Sequence, residues 1–119
     1  MEEANSAVEK FFDNYAAALL ARDEKAVATM YAVPSLILFP GTSIAVSDEK
    51  QTEEFFATTW GQYEGVDSVE HDIRILGEAP HSVWADVTWS WDGQPRERLC
   101  YQLVDVAGEY RIAVLTPLE

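Results

Sequence analysis

The titratable side chains on two predicted strands are the first candidates for chemistry in this sequence. His71 alternates with three aliphatic residues of its strand, so it shares an apolar face with them and can point inward. An imidazole at such a place could exchange a proton near neutral pH. Asp86, on the following strand, could orient that imidazole, but strand alternation places it on the opposite face. A buried structural histidine is therefore the alternative to a catalytic one.

The next strand carries a second polar set, and its two faces allow two interpretations. Leu99, Tyr101 and Leu103 share one face, whereas Arg98 and Gln102 share the other. In the first interpretation the apolar trio packs against helices and the polar pair faces water. In the second, the polar pair lines a pocket. The apolar trio then forms an outer face that a second subunit would cover, because monomers rarely expose a large apolar patch.

Aromatic residues are numerous, with four Trp, five Tyr and five Phe. Flat apolar walls with a few polar tips suit a small polycyclic or aromatic ligand, although ordinary core packing would use the same residues. The residues predicted to line such a pocket are Tyr15, Tyr31, Phe39, Phe56, Trp60, Trp89, Trp91 and Gln102.

Hydrophobic periodicity predicts three helices and then a run of strands. A long helix extends from Glu3 to about Arg22, Asp23 caps a short second helix that Pro34 ends, and Ser47 opens a third. The predicted strands are Ser35–Phe39, Thr42–Val46, Ser68–Leu76, Ser82–Trp91, Arg96–Val106 and Glu109–Thr116. Tight turns join the last four strands, so they should form an antiparallel meander in an α+β fold.

Composition limits the classes of partner. The net charge of −13 would repel a phosphate backbone, so neither nucleic acid nor an anionic membrane is an expected partner. The single cysteine, Cys100, allows no intramolecular disulfide, and no zinc, phosphate-loop or nucleophile-elbow spacing occurs. We therefore expect neither a metal nor a cofactor. The acidic N-terminus does not have a signal-peptide pattern, which favours a cytoplasmic protein.

The order of these elements resembles the nuclear transport factor 2-like superfamily, which includes ketosteroid isomerase, scytalone dehydratase and the SnoaL-like proteins. Residues 15–32 are similar to the helix–turn–helix of the family, and residues 91–95 with the strand that follows are similar to the penultimate hairpin of the isomerase. The resemblance implies one domain over residues 1–119. It also implies a cystatin-like cone, in which three helices pack on a curved, mixed but mainly antiparallel sheet. A homodimer through the outer sheet face would fit the same fold.

The resemblance also assigns individual residues. Tyr15 falls at the oxyanion-hole tyrosine of the isomerase, and Gln102 falls where the isomerase has a protonated aspartic acid. Both side chains could donate hydrogen bonds to a developing enolate. Phe39 falls at the position of the general base, and a phenyl ring cannot accept a proton. The isomerase mechanism is therefore not expected.

Three functional hypotheses follow. The first is a pocket that binds a small apolar or aromatic molecule, with lyase or isomerase chemistry carried by Tyr15, His71, Arg98 or Gln102. The second is a non-catalytic dimeric association or scaffold module, which would have Leu103 at its interface. The third is a proton-transfer enzyme whose base has moved to His71 or Asp86.

Overall fold

The computed structural model describes residues 2–118, except for the side chains of residues 2–5 and 62. Met1 and Glu119, the ends of the predicted domain, lie outside the described residues. The helices are α1 (Glu2–Leu20), α2 (Glu24–Thr29) and α3 (Glu49–Ala57), followed by a 3₁₀ turn at Trp60–Tyr63. The strands are β1 (Tyr31–Phe39), β2 (Thr42–Val46), β3 (Glu70–Ala79), β4 (Ser82–Trp91), β5 (Gln94–Val106) and β6 (Glu109–Pro117).

All six strands form one sheet in the order β2-β1-β6-β5-β4-β3. Strands β3 to β6 form the predicted antiparallel meander, and β1 joins its far edge by pairing parallel to β6. The predicted α+β fold, a curved and mainly antiparallel mixed sheet covered by helices, is confirmed.

Helix α1 lies across the sheet because one of its faces is apolar. Val8, Phe12 and Tyr15 recur at three- and four-residue spacing and are at most 1% exposed. Phe12 contacts the ring of Tyr101 edge-on, with 4.9 Å between the ring centroids. The main hydrophobic core therefore lies between α1 and the inner face of the sheet. Among the described residues, no helix is both long and apolar enough to cross a membrane.

The second helix ends earlier, and the first strand begins earlier, than the sequence pattern predicts. Tyr31, expected on the helix, already belongs to β1 and is paired with Ile112 of β6. The amide of Ile112 donates a 2.8 Å hydrogen bond to the carbonyl of Met30. A partner far along the chain thus fixes this boundary, and local periodicity does not contain that information.

The third helix is capped by Asp48 rather than by Ser47. The Asp48 carboxylate accepts a hydrogen bond from the Gln51 amide, and the Gln51 side chain accepts one from the Asp48 amide, which is a capping box. Trp60 and Tyr63 lie in the separate 3₁₀ turn that follows this helix.

Strand register shows which face of β5 points inward. Val83 and Ala85 of β4 pair with Leu103 and Tyr101, and all four are at most 2% exposed. The apolar trio of β5 therefore packs beneath the helices, as the first interpretation of that strand has it. The alternative that placed Gln102 inside is wrong, because side chains change face at every residue of a strand.

Candidate functional site

A cavity of about 260 Å³ lies between the inner sheet face and helices α1 and α3. Aromatic rings form much of its wall, with Tyr15 from α1, Phe56 from α3 and Trp89 from β4 among them. Each helix contributes through its apolar face, and each strand through every second residue. The same periodicities that build the core thus leave a mostly apolar space at this end of the sheet.

Three buried tyrosines lie at or beside the cavity, and two of them, Tyr15 and Tyr101, line it. The Tyr15 and Tyr31 hydroxyls are 2.7 Å apart and hydrogen-bonded to each other. The indole Nε1 of Trp89 donates a 3.0 Å hydrogen bond to the Tyr101 hydroxyl. Burial raises the pKa of Tyr15, Tyr31 and Tyr101 well above the ordinary value, so all three are neutral donors at pH 7.

Tyr101 is the best placed of these donors to serve a ligand. Its oxygen already accepts the Trp89 hydrogen bond, and no hydrogen bond among the described side chains and backbone uses its own proton. Tyr101 also lines the cavity. Its hydroxyl proton can therefore be offered to an oxygen or nitrogen acceptor in the cavity.

Among the described residues, Glu97 supplies the carboxyl group of the cavity wall. It lies on the inner face of β5, directly opposite Trp89 of β4, and the Tyr63 hydroxyl donates to its Oε1 at 3.4 Å. Burial, the largest effect on this group, raises the pKa of Glu97, and the Tyr63 hydrogen bond partly counteracts it. No lysine, arginine or histidine is among the described residues that line the cavity.

Sequence reasoning missed Glu97, although the signal was present. Glu97 alternates with Leu99, Tyr101 and Leu103, so the interpretation that turns this trio inward also turns Glu97 inward. An acidic residue on an apolar strand face is uncommon enough to mark a candidate site.

Most of the predicted aromatic residues line the cavity. Those at its wall are Tyr15, Phe39, Phe56, Trp89 and Trp91. Two others do not reach it. Tyr31 lies behind Tyr15, and the Trp60 indole instead donates a 3.1 Å hydrogen bond to Glu24. Whether the lining residues bind a ligand stays a prediction.

The predicted inward orientation of Arg98 and Gln102 is wrong. Arg98 forms a bidentate pair with Asp86 on the outer face, with nitrogen–oxygen distances of 2.6–3.2 Å. These hydrogen bonds are the main reason that the pKa of Asp86 lies below its usual value. Gln102, opposite Trp84, is on the same outer face. The proposed Tyr15–Gln102 donor pair is therefore not formed, and Tyr101 lies on the inner face beside Tyr15.

His71 points toward helix α1 rather than into the cavity. Its Nε2 lies 2.8 Å from Asp13 Oδ1, and its Nδ1 lies 3.9 Å from Glu9 Oε2. The imidazole also packs edge-on against Trp89, and His71 is not among the residues that line the cavity. Neither His71 nor Asp86 lies where it could act as a base in the cavity.

Several solved structures share this fold. An NTF-2-like protein of unknown function from Shewanella oneidensis is 9% identical, with a TM-score of 0.74 over 95% of this chain and 97% of that one. The protein Aln2 from a Streptomyces species is 17% identical, with a TM-score of 0.71 over 100% and 92% of the two chains. A ketosteroid isomerase-like protein from Erwinia carotovora atroseptica is 14% identical, with a TM-score of 0.70 over 96% and 95%.

At these identities the likeness concerns the fold alone. No curated protein matches the sequence significantly. A family model described as NTF2-like protein (DUF6841) matches residues 2–119. The helix–turn–helix, the meander and this match agree, and the chain belongs to the nuclear transport factor 2-like family DUF6841.

Proposed function

We propose that the cavity binds a small, largely apolar ring compound. The observation that carries the proposal is an aromatic-walled space of about 260 Å³ with a hydroxyl donor at Tyr101 and a carboxyl group at Glu97. A mostly apolar wall with few polar groups is typical of small-molecule sites. Ordinary packing would have filled this volume with side chains, because protein interiors leave few voids larger than a water molecule.

The volume of the cavity limits the size of the ligand. At about 260 Å³ the cavity lies just below the usual range of small-molecule sites, roughly 300–1,000 Å³. A molecule of one or two rings fits such a space. Such a molecule is smaller than the polycyclic ligand that the aromatic content alone suggests.

Any lyase or isomerase chemistry in this cavity would depend on Glu97. Phe39 lines the cavity but cannot accept a proton, and His71 and Asp86 lie outside it. A carboxyl group with a pKa raised by burial can both accept and return a proton, and a neutral Tyr101 can stabilise negative charge on a substrate oxygen. The third hypothesis placed the base at His71 or Asp86, and a proton-transfer reaction with Glu97 as the base replaces it.

The association-module alternative loses one of its two supports. It rested on the missing base at Phe39 and on an outer apolar face that contained Leu103, and Leu103 is fully buried beneath the helices. A homodimer through the outer sheet face, and a cytoplasmic location, stay predictions.

A pair of adjacent threonines tests the proposal. Thr59 lines the cavity whereas Thr58 is exposed, and both hydroxyls donate to a backbone carbonyl of α3. We expect Thr59→Trp to fill part of the cavity and to weaken binding of 2-naphthol at least tenfold. Thr58→Trp should bind as the unchanged protein does.

Isothermal titration calorimetry of the three proteins gives the comparison, with circular dichroism to confirm that each is folded. Equal affinities for both variants, or no binding of 2-naphthol or other one- and two-ring probes to the unchanged protein, would contradict a ligand site in the cavity.

A further inference from the structure

Glu97 combines features that are unusual in one residue. It lies in the wall of a mostly apolar cavity, the hydrogen bond that it accepts from Tyr63 is long at 3.4 Å, and none of the salt bridges among the described residues includes it. Asp86 on the outer face differs, because it has a bidentate arginine partner. Glu97 is partly buried, and a carboxylate withdrawn from water without a counter-ion destabilises a protein unless something else supplies the opposite charge.

The surroundings of Glu97 are aromatic. Trp89 is its direct neighbour on β4, and Tyr63 donates to its carboxylate. Trp91 also lines the cavity, and its ring centroid lies 6.0 Å from that of Tyr63. The faces of tryptophan and tyrosine rings attract cations within about 6 Å of the ring centroid. A carboxylate and aromatic faces in one wall are the chemistry that binds an ammonium group.

We propose that the ligand of this cavity is an organic cation: a one- or two-ring body that carries a single ammonium group paired with Glu97. This inference rests on the proposed function, because it names the ligand class of the same cavity. The ring body fills the apolar space toward Tyr15 and Tyr101, and the ammonium group lies between the Glu97 carboxylate and the rings of Tyr63, Trp89 and Trp91.

Electrostatics at longer range also favour a cationic ligand. The chain carries 21 acidic and 8 basic residues, and no basic side chain is among the described residues at the cavity wall. A strongly acidic protein raises the local concentration of cations and repels anions. An anionic ligand would in addition have to approach the Glu97 carboxylate, and none of the described residues at the cavity wall carries a positive charge to compensate.

Three probes of similar size and different charge test the inference. They are 2-phenylethylamine, which is a cation at pH 7, neutral 2-phenylethanol, and the phenylacetate anion. Calorimetry at low ionic strength should show that the amine binds at least tenfold more tightly than the alcohol, with phenylacetate weakest. Low salt is needed because salt screens the charge of a partly open site.

Two isosteric variants test whether the preference for the amine depends on Glu97. Glu97→Gln should remove the preference for the amine and leave the affinity for 2-phenylethanol within about twofold. The control is Glu64, an exposed residue next to Tyr63 that does not line the cavity. Glu64→Gln changes the net charge by the same amount as Glu97→Gln, and it should keep the preference for the amine.

Each outcome has one meaning. Equal binding of amine and alcohol to the unchanged protein, or loss of the preference in both variants, would overturn the cation assignment. Binding of 2-naphthol without binding of the amine would also overturn it while the proposed function stands. If neither the three probes nor 2-naphthol binds, the proposed function itself fails.

Discussion

Replacing Leu103 with glutamate is expected to prevent the protein from folding. Leu103 is completely buried on the inner face of β5, opposite Val83. The substitution removes a buried aliphatic side chain, which costs about 2–5 kcal/mol, and buries a carboxylate at a further cost of several kcal/mol. The sum is comparable to the whole stability of a domain of this size.

Gln102→Glu is the matched control for that variant. It introduces the same side chain one residue earlier, on the outer face, where Gln102 is partly exposed. We expect a change of about 0.5 kcal/mol or less in the free energy of unfolding. Urea denaturation followed by circular dichroism compares the two. A folded Leu103→Glu protein together with an unfolded Gln102→Glu protein would mean that the sheet faces are reversed.

Phe12→Ala should give the second largest loss of stability. The Phe12 ring is fully buried and contacts Phe11, Trp89 and Tyr101 at centroid distances of 5.2, 6.1 and 4.9 Å. Truncating such a ring leaves a cavity between α1 and the sheet, and substitutions of this kind cost about 3–5 kcal/mol. The free energy of unfolding from urea titration measures the loss.

Phe55→Ala provides the comparison, because Phe55 of α3 is only partly buried and lies beside Phe39 at the cavity wall. The decrease in the free energy of unfolding caused by Phe55→Ala should be nearer the average of about 1 kcal/mol for a point substitution. Equal losses in the two variants would show that α1 does not close the core as described.

Much of the fold follows from local patterns in the sequence. The three- and four-residue spacing of α1 and the alternation and turns of β3 to β6 identify these elements within a few residues. What local patterns do not contain is the pairing of distant segments. Tyr31 begins a strand because it pairs with Ile112 of β6, a residue far along the chain.

The site was harder to predict because a one-residue difference decides which face of a strand is inside. Gln102 and Tyr101 are neighbours, and both can donate a hydrogen bond; comparison with the isomerase assigned the donor position to Gln102, one residue away from the inward Tyr101. Strand pairing makes the choice, since Tyr101 lies opposite the buried Ala85. Once that choice is made, Glu97 follows by alternation, whereas the empty volume beside it depends on packing and is invisible in the sequence.

The four tryptophans offer the most direct test of the ligand site. Trp89 and Trp91 line the cavity, whereas Trp60 and Trp84 do not, and Trp84 is 37% exposed on the outer face. Indole N–H signals in a ¹H–¹⁵N spectrum, assigned through single Trp→Phe variants, can be followed while 2-naphthol is added. We predict saturable shifts at Trp89 and Trp91 and little change at Trp60 and Trp84. Shifts confined to Trp84, or no saturable shift at Trp89 and Trp91, would contradict a small-molecule site in the cavity.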